Sequence, residues 1–216
     1  MSERSHQSSA ATAGGGSVLF VVSRDISSPL GCTAPYYLVE KMTASRDVHV
    51  VCRKQADRRA DESPPTGAVR HEIPVGQVPV LSGLLFLVAS TLAVVVLGAV
   101  NRYDAVYAFQ NELIQGWAGA KAAGGRFVAN LQSVPVRQGR DFSRETSGEP
   151  GPRRRLSLAL YGCYERVTGR LLASASVVFC LTDGIRDVTE EVYGIDLAHA
   201  HVFGMGIDTR AFAADG

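Results

Sequence analysis

The sequence lacks a phosphate-binding glycine signature. Neither G-x-G-x-x-G nor G-x-x-x-x-G-K-[ST] occurs, and the run Gly14-Gly15-Gly16 precedes the first apolar segment instead of following it. Both signatures need their glycines between a strand and the helix that receives the phosphate, so an ordinary dinucleotide site and a P-loop are disfavoured. Cysteine is scarce. The four (Cys32, Cys52, Cys163, Cys180) form no C-x-x-C pair and do not cluster with the five histidines. That argues against a zinc site or a disulfide framework, and fits a reducing cytoplasm. No excess of one charge exists either. Twenty-two basic residues face 21 acidic ones, which gives no global attraction for nucleic acid, so a charged ligand must be met by a local patch. No secretory signal is expected either, because the polar, Gly/Ser/Ala-rich residues 1–17 are followed by only five apolar residues, Val18 to Val22, too short for the apolar part of such a signal. The first 17 residues read as a disordered tail, and the protein is expected on the cytoplasmic side of the membrane.

What is present is an alternation of short apolar runs and helical patterns. Strands are predicted over 18–22, 48–52, 69–73, 105–109, 126–131, 177–181 and 201–203, and helices over 35–44, 112–123, 153–173 and 184–193. Strands alternating with helices predict an α/β, Rossmann-like, doubly wound and mainly parallel sheet, as one domain over 18–204 with a linker-like segment over 205–216. Ligands of such a sheet bind outside the carboxyl ends of its strands. Ser23, Arg24 and Gly31 after the first strand, Gln110 and Asn111 after the fourth, and Gln132, Arg137 and Arg140 after the fifth are therefore the candidate ligand-binding residues. Gly31 has the strongest physical rationale, since a glycine there lets the backbone approach a ligand closely; the competing reading is a plain turn glycine.

Two longer features stand out. From Val80 to Val100 the chain runs 21 residues without a charge, long enough to span a bilayer. Strands on both sides of it favour a helix lying on one face of a single domain, buried or resting on a membrane. Ser82, Gly83, Ser90, Thr91 and Gly98 would give it tight contact with a sheet. The helix from Arg153 carries Leu156, Leu160, Tyr164, Val167 and Leu171 on one face, a spacing that predicts core packing. Arg153, Arg154 and Arg155 sit at its start, a placement that costs roughly 0.3–1 kcal/mol per exposed charge unless an anion answers it. They form a candidate anion- or membrane-binding patch, against a plain reading as surface charge.

Four stretches together resemble the N-terminal, acceptor-side half of GT-B glycosyltransferases of family 4. Ser28-Pro29-Leu30-Gly31 follows the first strand, and Tyr103-Asp104-Ala105-Val106-Tyr107-Ala108 is similar to the family's "P-D-V-V-H-A-H" strand. Glu165 to Asp187 resembles its helix–strand–helix unit, and Val202 to Phe212 its closing "V-I-P-N-G-V-D-…-F". The resemblance implies sugar transfer from a nucleotide-sugar to a lipid-linked or envelope acceptor. It also implies peripheral association with the inner face of the cell membrane, and a donor-binding Rossmann-like half as partner. In that family the donor half holds the nucleotide-sugar, so this chain itself is expected to bind no cofactor and no metal. Gln132 stands where the family often has a histidine, so no catalytic residue carries over. The alternative is a non-catalytic, membrane-associated subunit that anchors a separate donor-binding partner.

Overall fold

The computed structural model describes residues 15–24, 26, 33–54, 67–75, 81–134 and 152–203. The elements run β1 (Ser17–Val22), α1 (Thr33–Thr43), β2 (Asp47–Arg53), β3 (Val69–Ile73), α2 (Leu81–Asn101), β4 (Ala105–Phe109), α3 (Leu113–Ala123), β5 (Arg126–Leu131), α4 (Pro152–Ala173), β6 (Val177–Cys180), α5 (Asp183–Tyr193) and β7 (His201–Val202). All seven strands lie in one sheet of order β3-β2-β1-β4-β5-β6-β7, and every pairing is parallel. The Rossmann-like α/β expectation is met. The first strand starts one residue earlier than predicted, because the Ser17 amide is held by Asp104 Oδ2 at 2.8 Å and Ser17 pairs with Asp47.

The strand order dictates where the helices go. The step from β1 to β2 moves one way along the sheet; those from β3 to β4 and onward move the other way. Right-handed crossovers then put α1 on one face and α2 to α5 on the opposite face. The core divides accordingly. Leu19, Val21, Val106, Ala108, Ala129 and Leu131 face α2 to α5, with Val94, Leu113, Ala120, Leu172 and Leu197. Val18, Phe20, Val22, Val48, Val50, Cys52 and Phe109 face α1 through Val39. Successive residues of each strand serve opposite layers, which is why the runs read as continuously apolar.

Two helices depart from expectation. α2 makes its closest contact with α3 instead of the sheet: a Cβ at Gly98 would lie 2.7 Å from the Gly119 carbonyl oxygen, so only glycine permits this approach. Gly83 has open space around it, while Ser90 and Thr91 turn their hydroxyls back onto helix carbonyls. α4 does not pack as a core helix along its length. Leu171 and Leu172 are buried, yet Leu156 is 58% exposed, and Leu160 and Val167 are exposed too. Length explains this. Twenty-two helical residues extend about 33 Å, whereas the four-residue β6 covers about 13 Å. The amino-terminal half of α4 therefore overhangs the carboxyl edge of the sheet.

Candidate functional site

The sheet's topological switch point lies between β1 and β4, where the chain departs to opposite sides and the loops after the two strands diverge. A cavity of about 440 Å³ occupies this place. Ser23 and Arg24 follow β1 into it, Arg53 ends β2 beside it, and Asn111 and Glu112 enter after β4. Gln115 of α3 lines it from below, Gly83, Phe86 and Leu87 from the first turns of α2, and Tyr161 and Tyr164 from the overhanging part of α4.

Its chemistry centres on two buried polar side chains. Glu112 is 4% exposed and Gln115 2% exposed. Burial raises the Glu112 carboxyl to about 7, against the opposing pull of hydrogen bonds from Ser23 and the nearby Arg24 charge. Gln115 donates from Nε2 to Ser90 Oγ at 3.3 Å, while its buried Oε1 has no partner among the described residues. A buried acceptor left without a donor costs roughly 1–3 kcal/mol. Tyr164 donates its hydroxyl to the Asn111 carbonyl, tying α4 to the β4 loop, and burial raises its pKa.

Of the residues nominated from sequence, Ser23, Arg24 and Asn111 meet in this cavity. Gln110 does not line it: its backbone has φ 39° and its Nε2 donates to Ser133 Oγ at 2.8 Å, so it braces the β4 and β5 loops. Gln132 is half-buried beyond β5 and stands apart from the cavity. Gly31, Arg137 and Arg140 lie outside the described residues, as does the closing motif from Gly204 onward. Arg155 is exposed on the first turn of α4, and the side chains of Arg153 and Arg154 lie outside the described residues. Among the described residues no group of three or more His, Cys, Asp or Glu could hold a metal ion.

Sequence reasoning missed Arg53, Glu112, Gln115, Tyr161 and Tyr164. Arg53 carried a usable signal, a basic residue directly after the apolar run of β2. Gln115 carried a weaker one, a polar side chain among the small residues Gly116, Gly119 and Ala120 of the buried face of α3. Glu112 read only as an acid at a helix start, which is an ordinary surface placement.

Two other depressions stand out among the described residues. One of about 570 Å³ between α4 and α5 has its floor at Ala173, Tyr193 and Ile195, toward the amino ends of β6 and β7 and away from the ligand edge. The other, about 200 Å³, lies on the α1 face between Leu38, Tyr107, Phe109, Phe179 and Phe203, with Asn130 in its wall, whose buried Oδ1 has no partner among the described residues.

The outer face of α2 adjoins the site. Leu84, Leu85, Val88, Leu92, Val96 and Val100 form an exposed apolar stripe that begins at the cavity, with Leu92 63% and Val100 74% exposed. The segment Ser82–Asn101 is long and apolar enough to cross a membrane, and 22% of its most apolar 18-residue stretch is buried. Yet β1, before α2, pairs residue by residue with β4 after it, so α2 lies along the domain on one side.

No protein-family model matches the chain. No curated protein matches it either. Solved structures do. Alr3699/HepE of Anabaena, in complex with UDP and glucose, is similar at 15% identity and a TM-score of 0.53, over 90% of this chain and 46% of that one. The calicheamicin glycosyltransferase CalG4 is similar at 14% identity and a TM-score of 0.52, over 89% of this chain and 53% of that one. A candidate UDP-N-acetylglucosamine 2-epimerase of Listeria monocytogenes matches at 14% identity and a TM-score of 0.50, over 88% of this chain and 45% of that one. The chain spans about half the length of these structures. Its fold is that of one half of the two-domain GT-B architecture.

Proposed function

We propose that the chain is the acceptor-side half of a glycosyltransferase working at the cytoplasmic face of a membrane. The sugar would come from a nucleotide-sugar held by a separate donor-binding half, and the acceptor would be lipid-linked or part of the cell envelope. The observation that carries this reading is the continuity of the α2 stripe with the switch-point cavity. Apolar side chains at Leu84, Leu85 and Val88 flank Gly83, Phe86 and Leu87 at the cavity wall, and Leu156 and Leu160 of α4 flank Tyr161 and Tyr164 on the other side. An amphiphile whose tail lies in a bilayer could present its polar head between the two helices. Burying the stripe at an interface is favourable by about 25 cal/mol per Å² of apolar surface. Arg155, with Arg153 and Arg154 beside it in sequence, adds basic charge on the same overhang, each worth about 1 kcal/mol at an anionic surface.

Deletion of the gene in its source organism tests the proposal. Mass spectrometry of lipid and envelope extracts should find one glycosylated product missing and its unglycosylated precursor accumulated. Unchanged glycolipid and envelope-sugar profiles would contradict the assignment. The half-length of the chain also suits a non-catalytic subunit that anchors a donor-binding partner. That reading differs in one outcome: the donor-binding partner alone would glycosylate a detergent-solubilised acceptor at the full rate.

A further inference from the structure

Beneath the carboxyl end of α2, away from the switch-point cavity, three donor atoms from three segments converge. His71 pairs with Val51 and His49 with Val69, so the two imidazoles are diagonal neighbours across β2 and β3. Val51 and Tyr103 belong to the layer that α2 to α5 cover, and strand alternation puts both histidines on that same face. Tyr103, between α2 and β4, brings its hydroxyl to within 2.7 Å of His49 Nδ1. His71 Nε2 stands 3.1 Å from the same nitrogen. The histidines are 22 residues apart in sequence, and His49 and Tyr103 are 54 apart, so no spacing motif announces the cluster.

The hydrogen bonds at this point do not close. A ring nitrogen of histidine offers either one N–H or one lone pair, whichever tautomer it adopts. His49 Nδ1 has two neighbours at bonding distance and can serve only one of them well. If it accepts from the Tyr103 hydroxyl, an N–H on His71 Nε2 meets a lone pair already in use, and a bare Nε2 sets lone pair against lone pair. If it carries the proton instead, His49 Nε2 turns a lone pair toward the Asp47 carboxylate, 3.6 Å away. A cation between the three atoms removes the conflict, because all three lone pairs can point at it.

We propose that His49 Nδ1, His71 Nε2 and Tyr103 Oη hold a divalent transition-metal ion of the zinc type, which clips the carboxyl end of α2 to β2 and β3. Zinc holds nitrogen and oxygen ligands at about 2.0–2.2 Å, which sets neighbouring ligand atoms of a tetrahedral site about 3.3 Å apart. The separations of 3.1 and 2.7 Å need only small side-chain rotations to open to that edge. The outer contacts are those such a site carries. A metal-bound imidazole commonly presents its other nitrogen to a carboxylate, as His49 Nε2 does to Asp47 Oδ2. Asn101 Nδ2 donates to the Tyr103 oxygen at 3.1 Å and would stabilise the phenolate. On binding, the phenol O–H bond breaks, its proton goes to water, and the oxygen bonds the metal. With no third histidine, cysteine or carboxylate in the set, the phenol is the donor that completes it, and water fills the remaining position. Imidazole with one oxygen donor suits zinc, nickel or copper, whereas magnesium and calcium want oxygen alone. The His49 side chain is 15% and that of Asp47 64% exposed, so an ion enters from solvent directly.

Calorimetry of the untagged, chelator-stripped full chain against zinc chloride tests the assignment. One zinc per chain should bind in the micromolar range or tighter, and it should raise the thermal unfolding midpoint. His71→Asn should abolish both effects. Asp47→Asn, a change at an exposed side chain, should weaken binding by about 10- to 100-fold without loss of folding. Copper(II) should give a visible phenolate-to-copper charge-transfer band that disappears in Tyr103→Phe. Nuclear magnetic resonance of the native chain needs no variant: zinc should shift the ring signals of His49 and His71 and leave those of the other three histidines in place. Absence of saturable zinc binding overturns the proposal. So does binding that is as tight in a folded His71→Asn chain as in the parent, or zinc-induced shifts confined to the other histidines.

Discussion

At the residue scale, two clusters set opposite responses of stability to pH. Glu112 is the first. Its carboxyl rises from an ordinary 4.5 to about 7 on folding, chiefly through burial. The stability tied to its neutral form is therefore fully present below pH 4.5 and is lost as pH rises through 7, a change of about 3 kcal/mol. Chemical denaturation at pH 5 and pH 8 should show this loss in the parent chain and a flatter profile in Glu112→Gln. The second cluster lies at the opposite end of the sheet. His49 Nδ1 stands 2.7 Å from the Tyr103 hydroxyl and 3.1 Å from His71 Nε2, and Asn101 Nδ2 donates to the same hydroxyl at 3.1 Å. Burial, then the neighbouring His49, lowers the His71 pKa below 6.5, while burial pushes the Tyr103 phenol up to about 12. A depressed histidine favours its neutral form in the fold, so the stability it supports is present above pH 6.5 and is lost as pH falls below it. Substituting His71→Asn should remove the acid-side slope of denaturation midpoints while costing stability at pH 8. An unchanged acid slope would show that the cluster does not titrate as the structure implies.

At the element scale, the sequence and the structure agree most closely where a single period decides the matter. Strands β1, β2, β4, β5 and β6 were legible as apolar runs, because strands buried on both faces carry apolar side chains at consecutive positions, whereas the edge strands β3 (VRHEI) and β7 (HV) are polar and partly exposed and gave weaker signals. Helix α2 was legible in extent, but its neighbours were not. The small residues Gly98 and Gly119 mark a helix–helix contact, and a sequence pattern does not say whether a small residue meets a sheet or another helix. The face of α4 was misread for a related reason. Leu156, Leu160 and Leu171 share one stripe, yet only the carboxyl-terminal part of that stripe lies over strands. Periodicity reports which residues share a face, while burial depends on how far the partner element extends. The consequence is testable on α2. Leu85 is 49% exposed and Val96 61% exposed, so Leu85→Glu with Val96→Glu should leave the thermal unfolding midpoint within a few degrees of the parent. The same pair should abolish sedimentation with phospholipid vesicles if the stripe rests on lipid, because two charges would then enter the interface. Unfolding of the double variant would contradict the outward placement, and undiminished sedimentation would contradict the membrane role.

At the scale of the whole molecule, the site is legible only in part, because its parts come from six separate elements and loops. The rule that ligands gather at strand carboxyl ends named Ser23, Arg24 and Asn111, which do meet. It could not rank the loops, since that requires knowing that β1 and β4 are neighbours, a pairing fixed by tertiary packing. Gln110 and Gln132 followed the same rule and fall outside the cavity, the first held by Ser133. The fold spans about half of the structures it resembles, so the proposed division of labour has a direct consequence for binding. Calorimetry of the purified chain with uridine and guanosine diphosphate sugars should show no dissociation constant in the micromolar range, and one that tight would place donor recognition on this half.

Sugar incorporation most directly tests the claim that this chain completes a transferase at a membrane. Membranes from the deletion strain would receive labelled nucleotide-sugars, with and without the purified chain, and the lipid extract would be counted. The account predicts label in the lipid only when the chain is added back, and none from the chain with donor in the absence of membranes. Equal incorporation with and without the chain, across all donors tried, would contradict it.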